Sequence, residues 1–302
     1  MNNGKTEHTC VCICTYKRPE LLRRLLEELT KQVTDEMFTY SVVIVDNDQL
    51  RSAESTVSDF AASTSIPVRY FVEPEQSIPR ARNKAVENAS GDYVAFIDDD
   101  EYPAENWLLH LIKACKQYNA DGAVGPVSCH FEQEPPKWIV QGRFWQRPTY
   151  TTGLVIDGKK GRTNNALVKK DLFTGLKEPF RPEFRTGEDQ EFFSQMIEEG
   201  HTFVWCNEAL VYETVPPNRW ERSFILKRSL LQGSISPLHR SFGLVRFAKS
   251  LIAIPVYAVM LPVAAILGQH RFMSLLVKLA FHLGAVLNCM GIKAVKQPYV
   301  TQ

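Results

Sequence analysis

Tyr93-Val94-Ala95-Phe96-Ile97-Asp98-Asp99-Asp100-Glu101 decides how this chain folds: five apolar residues that suit a buried strand run directly into four acids. Adjacent carboxylates at a strand end repel one another unless a cation sits among them. A divalent metal holding a diphosphate is the common solution. Carboxylate oxygens suit Mg2+ or Mn2+, with the remaining coordination left to phosphate and water. The plain alternative is a solvated acidic turn that caps the next helix.

Outward from this stretch, short apolar runs alternate with helical patterns. Strand-like runs fall at 10–15, 41–46, 68–72 and 93–98, and helical periodicity at 20–32, 53–62, 79–88 and 107–118. This is the β-α-β-α rhythm of an α/β fold with a largely parallel, doubly wound sheet. Ligands of such sheets bind outside the carboxyl ends of the strands. Thr15-Tyr16 ends the first run, Asp46-Asn47 the second and Asp98-Asp99-Asp100 the fourth, so three polar clusters are predicted to share one edge.

The 302 residues, 44% of them hydrophobic, suffice for one large domain plus an appendage. With 35 basic and 34 acidic side chains the net charge is +1, so no global field favours nucleic acid. Seven cysteines form an odd set without paired spacing. Cys10, Cys12 and Cys14 alternate along one strand face, where parallel ligands do not surround a tetrahedral zinc ion. They read as reduced core thiols of a cytosolic domain. Residues 1–5, Met1-Asn2-Asn3-Gly4-Lys5, are polar with no apolar signal region, which argues against export by a cleaved signal.

Between 130 and 162 periodicity is lost, and Pro135-Pro136, Trp138, Trp145 and Pro148 accumulate. A long aromatic loop inside a compact domain suits a lid or an acceptor-binding surface, whereas a disordered insertion rarely carries so many aromatics. Order returns at 164–168, then in a helix opening at Thr186, then in short strands at 203–205 and 210–212. Gly187-Glu188-Asp189 stands at that helix start, where acids are stabilising by about 0.3–1 kcal/mol with no further role.

Taken in order, these motifs resemble family 2 glycosyltransferases with the GT-A fold, particularly bacterial members that build exopolysaccharides. The likeness is carried by ICTYKRPELLRRLL at 13–26, VVIVDND at 42–48 and SIPRARNKAVENASGDYVAFIDDDE at 77–101, the last ending in a DXD motif. TNNALVKK at 163–170 is similar to the acceptor-side motif and TGEDQEFFSQMIEEG at 186–200 to the ED motif; together they span roughly residues 9–228.

The resemblance implies a GT-A nucleotide-diphospho-sugar transferase fold, Rossmann-like and mostly parallel. It implies inverting, metal-dependent transfer from a nucleotide-diphosphate sugar, a UDP-sugar favoured, to a saccharide acceptor. Thr15, Tyr16 and Arg18 would then line the nucleotide, with Tyr16 offering a ring to the base. Asp46 would accept hydrogen bonds from the base, and Arg82 would approach the donor phosphates unless it is a surface helix arginine. Asp99 would join the donor side, Asp98 the ribose or metal, and Asp100 would be the principal ligand of Mn2+ or Mg2+. Such a transfer needs a carboxylate base to deprotonate the acceptor hydroxyl, and Asp189, oriented by Glu188, is the candidate. Where relatives often carry a metal-binding histidine this chain has Tyr212-Glu213, so either Glu213 supplies an oxygen ligand or the DXD acids act alone.

A nucleotidyltransferase making nucleotide sugars predicts a glycine-rich phosphate loop after the first strand, but that position reads Thr15-Tyr16-Lys17-Arg18-Pro19. A non-catalytic sugar-nucleotide-binding membrane protein would share the pocket and differ in having no turnover to lose at Asp189.

After Val215-Pro216-Pro217 the composition shifts, so the expected domains are 1–216, catalytic, and 217–302, basic and helical. Between Asn218 and Lys249 there are seven Lys or Arg and one acid, Glu221; Arg219, Arg222 and Arg228 would meet either the donor diphosphate or an anionic leaflet. Residues 251–268 carry no charge but do carry Pro255 and Pro262, and 272–290 hold only Lys278 and His282. Membrane helices tolerate such prolines better than soluble ones, which favours membrane association over a core helix pair. Spanning and interfacial placement both stay open, because Gly268-Gln269-His270-Arg271 is a short connection and Lys278 interrupts the second segment. The basic flank, with Lys293 and Lys296, puts both ends at the cytoplasmic face of the inner or plasma membrane. A lipid-linked saccharide is the matching acceptor.

Overall fold

The computed structural model describes residues 6–184, 186–239 and 242–295; residues 1–5 and Lys296, both used above, lie outside them. In chain order the elements are β1 (Glu7–Thr15), α1 (Pro19–Leu29), β2 (Phe38–Asp46), α2 (Glu54–Ser63), β3 (Val68–Val72), α3 (Ile78–Glu87), β4 (Tyr93–Ile97), β5 (Glu101–Pro103) and α4 (Trp107–Gln117). There follow β6 (Gly122–Val124), β7 (Val127–Phe131), α5 (Lys137–Gly142), β8 (Asn165–Lys169), α6 (Glu188–Glu198), β9 (Phe203–Trp205), β10 (Val211–Val215), α7 (Arg222–Ile235), α8 (Leu244–Ile266) and α9 (Gln269–Cys289).

The main sheet has the strand order β3-β2-β1-β4-β8-β6-β9. β1 pairs in parallel with β2 and β4, β2 with β3, and β6 with β9; β8 runs antiparallel to both its neighbours. Its central strands β1, β2 and β4 are largely buried on both faces, which is why they read as continuous apolar runs. Along β1, Val11 and Ile13 join one core layer with Leu22, Leu25, Leu26 and Leu29 of α1. Cys10 and Cys12 face the other layer, with Ala81 and Ala85 of α3, and Cys14 packs against it half-buried. The three alternating thiols thus share one face as free, packed side chains.

The short strands β5, β6 and β7 escape sequence reading because β5 falls inside the acidic run itself and Gly125-Pro126 between β6 and β7 reads as a turn. The aperiodic stretch 130–162 contains one short helix, α5. α8 begins at Leu244, ahead of the charge-free run, and takes Arg246 and Lys249 into its first turns.

The described chain clusters into two compact units. The first comprises residues 1–128, 147–183 and 188–213; the second comprises 129–146, 184–187 and 214–302. Two pieces from before Pro216 therefore belong with the C-terminal unit. There Ile139 and Trp145 share a cluster with Val215, Trp220, Phe224 and Ile225.

Candidate active site

Most polar side chains at the carboxyl ends of β1, β2 and β4 are anchored by named partners. Thr15, in register with Asp46 across β1 and β2, is buried and donates from Oγ1 to Asp99 at 2.8 Å. Arg18 donates from Nη1 to Asp99 at 3.0 Å and to Asp100 at 3.2 Å. One guanidinium thus neutralises two of the three aspartates and ties them to the loop after β1. Tyr16 stands beside them half-buried, with the Lys17 ammonium 5.0 Å from its ring centroid.

Asp46 departs from the expected contact with a base. It is fully buried, and its oxygens accept from the backbone N–H of Asp48 at 3.0 Å and Ala53 at 2.8 Å and from the Tyr70 hydroxyl at 2.9 Å. A carboxylate closed over by three protein donors offers no surface to a ligand. It shapes the loop that follows β2. Asn47 continues that work, donating to the carbonyls of Glu73 and Glu75 and accepting from Ser77 N–H at 2.7 Å. Ser77 in turn caps α3.

α3 carries Arg82 into the interior, where the guanidinium bridges two acidic groups. Nη1 pairs with Glu188 at the start of α6, and Nη2 lies 3.6 Å from Asp98 at the end of β4. Asp98 and Glu188, from opposite halves of the catalytic motifs, are therefore held to a single side chain. Burial acts to lower the Arg82 guanidinium; Glu188 and Asp98 more than offset this and hold it above its ordinary value, so it stays charged. Burial raises the Glu188 carboxyl, against the pull of Arg82. Arg82 is thus neither a surface arginine nor a free phosphate ligand: both faces of its fork meet protein carboxylates. Glu188 is turned to Arg82, and Asp189, half-buried beside it, accepts from Gln190 N–H at 2.7 Å. Gly187 enters α6 at φ +81°, a conformation that favours glycine.

A third acidic layer lies behind the aspartates. Glu101, 2% exposed, accepts from Asn164 Nδ2 at 2.8 Å and from Asp98 N–H at 3.1 Å, so it clamps the aspartate turn. β5 and β10 place Glu213 directly opposite Glu101, and Glu213 is paired with Arg147. Burial pushes Glu101 well above the usual carboxylate range, with Asp98, Glu213 and Asp100 adding and Arg147 opposing. Asp98 is pushed up to about 7, chiefly by burial and then by its acidic neighbours, with Arg82 opposing; its side chain still keeps 44% of its surface open.

These observations bear on a divalent cation. Among the described residues no group of three His, Cys, Asp or Glu side chains is arranged to hold a metal by itself. Asp98 is open, and Asp100 beside it, 8% exposed, accepts from Arg18 through one oxygen. Hard oxygen donors of this kind, one or two per ion, fit Mg2+ or Mn2+ shared with a bound phosphate. Glu213, the other proposed oxygen ligand, is engaged by Arg147. Sequence reasoning missed Arg147 altogether, because it lies in the aperiodic stretch, and looked instead to Arg219, Arg222 and Arg228. Of these Arg228 stacks 5.1 Å over Trp145.

A doubly wound sheet whose strand ends gather a DXD turn, an arginine on the following layer and an ED helix defines a GT-A glycosyltransferase. The model of Glycosyl transferase family 2 matches residues 10–166, and the chain belongs to that family. It is similar to the succinoglycan biosynthesis protein ExoM of Rhizobium meliloti strain 1021, 29% identical over 307 residues, covering 97% of this chain and 96% of that one. Among solved structures, the mannosyltransferase PcManGT from Pyrobaculum calidifontis in complex with GDP-Man and Mn2+ shares the fold at a TM-score of 0.64 and 17% identity, covering 96% and 89% of the two chains. S. aureus TarS 1-349 in complex with UDP-GlcNAc does so at 0.56 and 15%, covering 95% and 93%.

Proposed function

We propose that this glycosyltransferase moves a sugar from a nucleotide-diphosphate donor, a UDP-sugar, to a saccharide acceptor with inversion at the anomeric carbon. The observation that carries this reading is the Arg82 bridge, which holds the DXD turn and the start of the ED helix to one guanidinium. Asp189 is the general base: it lies one residue beyond the bridge and is partly open. As the acceptor oxygen attacks the anomeric carbon, its proton passes to the Asp189 carboxylate. The bond from that carbon to the phosphate oxygen breaks, and its electron pair leaves with the nucleoside diphosphate. Glu188 and Arg82 act as positioning residues.

Asp98 and Asp100 would hold Mn2+ or Mg2+, which when bound neutralises charge on the departing diphosphate. Arg147 supports the same charge from the protein side: its guanidinium is partly open and contacts Glu213 through one nitrogen. Asp46, Asn47 and Tyr70 build the wall of the nucleotide pocket and do not read the base directly. The complexes of PcManGT with GDP-Man and of TarS with UDP-GlcNAc support a nucleotide-diphosphate donor, and the likeness to ExoM supports polysaccharide biosynthesis. The long apolar α8 and α9 support action at the cytoplasmic face of a membrane on a lipid-linked saccharide.

Release of nucleoside diphosphate from a panel of nucleotide sugars, with Mn2+, Mg2+ or chelator, identifies the donor. Asp189→Asn is expected to lower transfer by about 10²- to 10⁴-fold with donor affinity nearly intact. Unchanged turnover in that variant rejects Asp189 as the base, and equal donor affinity with and without Mn2+ in the parent rejects the metal.

A further inference from the structure

Large apolar side chains exposed together mark an interaction surface. On α8, Leu244, Val245, Ile252, Val259, Val263 and Ile266 are each 59–87% exposed, and only 11% of the most apolar window of this helix is buried. A core helix of a soluble protein would be mostly covered. The charge pattern names the partner: from Arg222 to Gln302 the sequence has ten Lys or Arg and no Asp or Glu. Arg246 and Lys249 stand before the charge-free run of α8 and Arg271 stands after it.

α9 is not free in the same way. A Cβ on Gly233 of α7 would lie 1.9 Å from the Phe281 carbonyl oxygen, and one on Gly284 of α9 would lie 2.2 Å from that of Leu230. Ser229 Oγ donates to the Val277 carbonyl at 2.7 Å. Ser229 with Val277 and Gly233 with Phe281 advance together, so α7 and α9 run side by side in the same direction. At the first residue of α9, the Gln269 amide oxygen, oriented by its donors, accepts from Arg222 Nη2 at 2.6 Å and Trp138 Nε1 at 3.2 Å. The turn between α8 and α9 is therefore held against the start of α7 and against α5.

A hairpin crossing the bilayer would have to carry this turn to the far side. With it would go Arg222 and Lys227, both exposed on α7, and charged side chains resist the membrane interior. The layering α7, α9, α8 leaves α8 outermost, with its apolar residues open and basic residues at both ends. We infer that α8 and α9 form a monotopic anchor: α8 lies in the plane of one leaflet of an anionic phospholipid bilayer, and α9 joins it to α7. Long basic side chains flanking an apolar stretch reach the headgroups of such a surface. This rests on the reading of the C-terminal unit as membrane-associated and specifies how it associates.

The test uses the full chain with preformed vesicles of phosphatidylcholine and phosphatidylglycerol at 3:1. Arg271→Cys, made in a Cys289→Ser background, is probed with a membrane-impermeant maleimide on floated vesicles. An in-plane anchor leaves position 271 labelled as fully before detergent as after it; labelling only after detergent means a spanning hairpin and overturns the inference while leaving membrane association intact. Arg246→Gln with Lys249→Gln is expected to weaken flotation by about thirtyfold. Val259→Asp with Val263→Asp is expected to weaken it at least tenfold while donor hydrolysis, far from these exposed positions in sequence, is retained. Parent protein that does not float, or that sediments as a dimer with α8 protected, overturns membrane association itself.

Discussion

Arg82→Met tests the architecture of the site more directly than any change to the acids. The guanidinium is 8% exposed and the Glu188 side chain 6%, so their interaction is almost wholly buried. Removing one partner of a buried pair leaves an uncompensated charge and costs about 3–5 kcal/mol. Glu188 recovers part of that by taking up a proton, so about 3 kcal/mol is expected at pH 7. The Asp98 contact adds little, because a carboxylate 44% exposed at 3.6 Å is screened by water to about 1 kcal/mol or less. Glu188→Gln should cost less, about 1–2 kcal/mol, because a neutral amide oxygen at 188 still accepts from Arg82. The double variant should then fall short of the sum by about 2 kcal/mol. Urea unfolding of the four proteins at pH 7 measures the cycle. Additivity within about 0.5 kcal/mol would refute the bridge, and with it the claim that one side chain holds the two acidic motifs together. Transfer should be lost in both single variants and should not return in the double variant, because relieving the stranded charge does not restore the position of Asp98 or α6.

Arg147→Ala is expected to raise the donor KM by at least tenfold, consistent with loss of one charge-assisted contact worth about 1.5–3 kcal/mol, with no loss of folded protein by circular dichroism; an unchanged KM would leave Arg147 as a structural partner of Glu213 alone. Asp121 accepts from Thr202 N–H at 3.0 Å and pairs with Lys169 at 3.0 Å; although burial acts to raise it, these partners hold its carboxyl below the usual value. Its contribution, to which His201 at 3.4 Å adds when charged, is therefore present above the unfolded-state value near 4 and is lost as pH falls through the folded one, so the stability difference between parent and Asp121→Asn should persist while Asp121 is ionised and shrink below about pH 4; a difference that stays undiminished down to about pH 2 would contradict this sign. Gly233→Ala should destabilise the C-terminal unit by about 2–4 kcal/mol, since its Cβ would meet a backbone oxygen of α9; a neutral effect in thermal unfolding would show that α7 and α9 do not pack closely.

The order of strands and helices up to α4, the polar strand ends, the alternating cysteines and the ED helix start were all legible in the sequence, because each is written as a local period or a contiguous motif. Buried parallel strands appear as apolar runs and a helix entry as Gly-Glu-Asp, and neither needs a distant residue to be recognised. β5, β6 and the role of Glu101 were not legible: β5 is hidden in the acidic run, Gly122-Ala123-Val124 is flanked by Gly125-Pro126 and reads as a turn, and an acid that clamps a turn looks the same in sequence as one that binds a metal. The motifs mark Arg82 and Asp46, but not that Arg82 pairs with Glu188, 106 residues away, or that Asp46 accepts from Tyr70, 24 residues away; pairing at that range is set by how the layers pack. Likewise the apolar C-terminal segments announced themselves by composition, whereas the close packing of α9 on α7 came from glycines whose purpose appears only when two backbones meet. Sequence by itself determined which chemical groups the chain carries and in what order; tertiary structure alone decided which of them are closed over by protein donors and which remain open to a ligand, because burial and charge pairing belong to the packed arrangement and not to any segment of it.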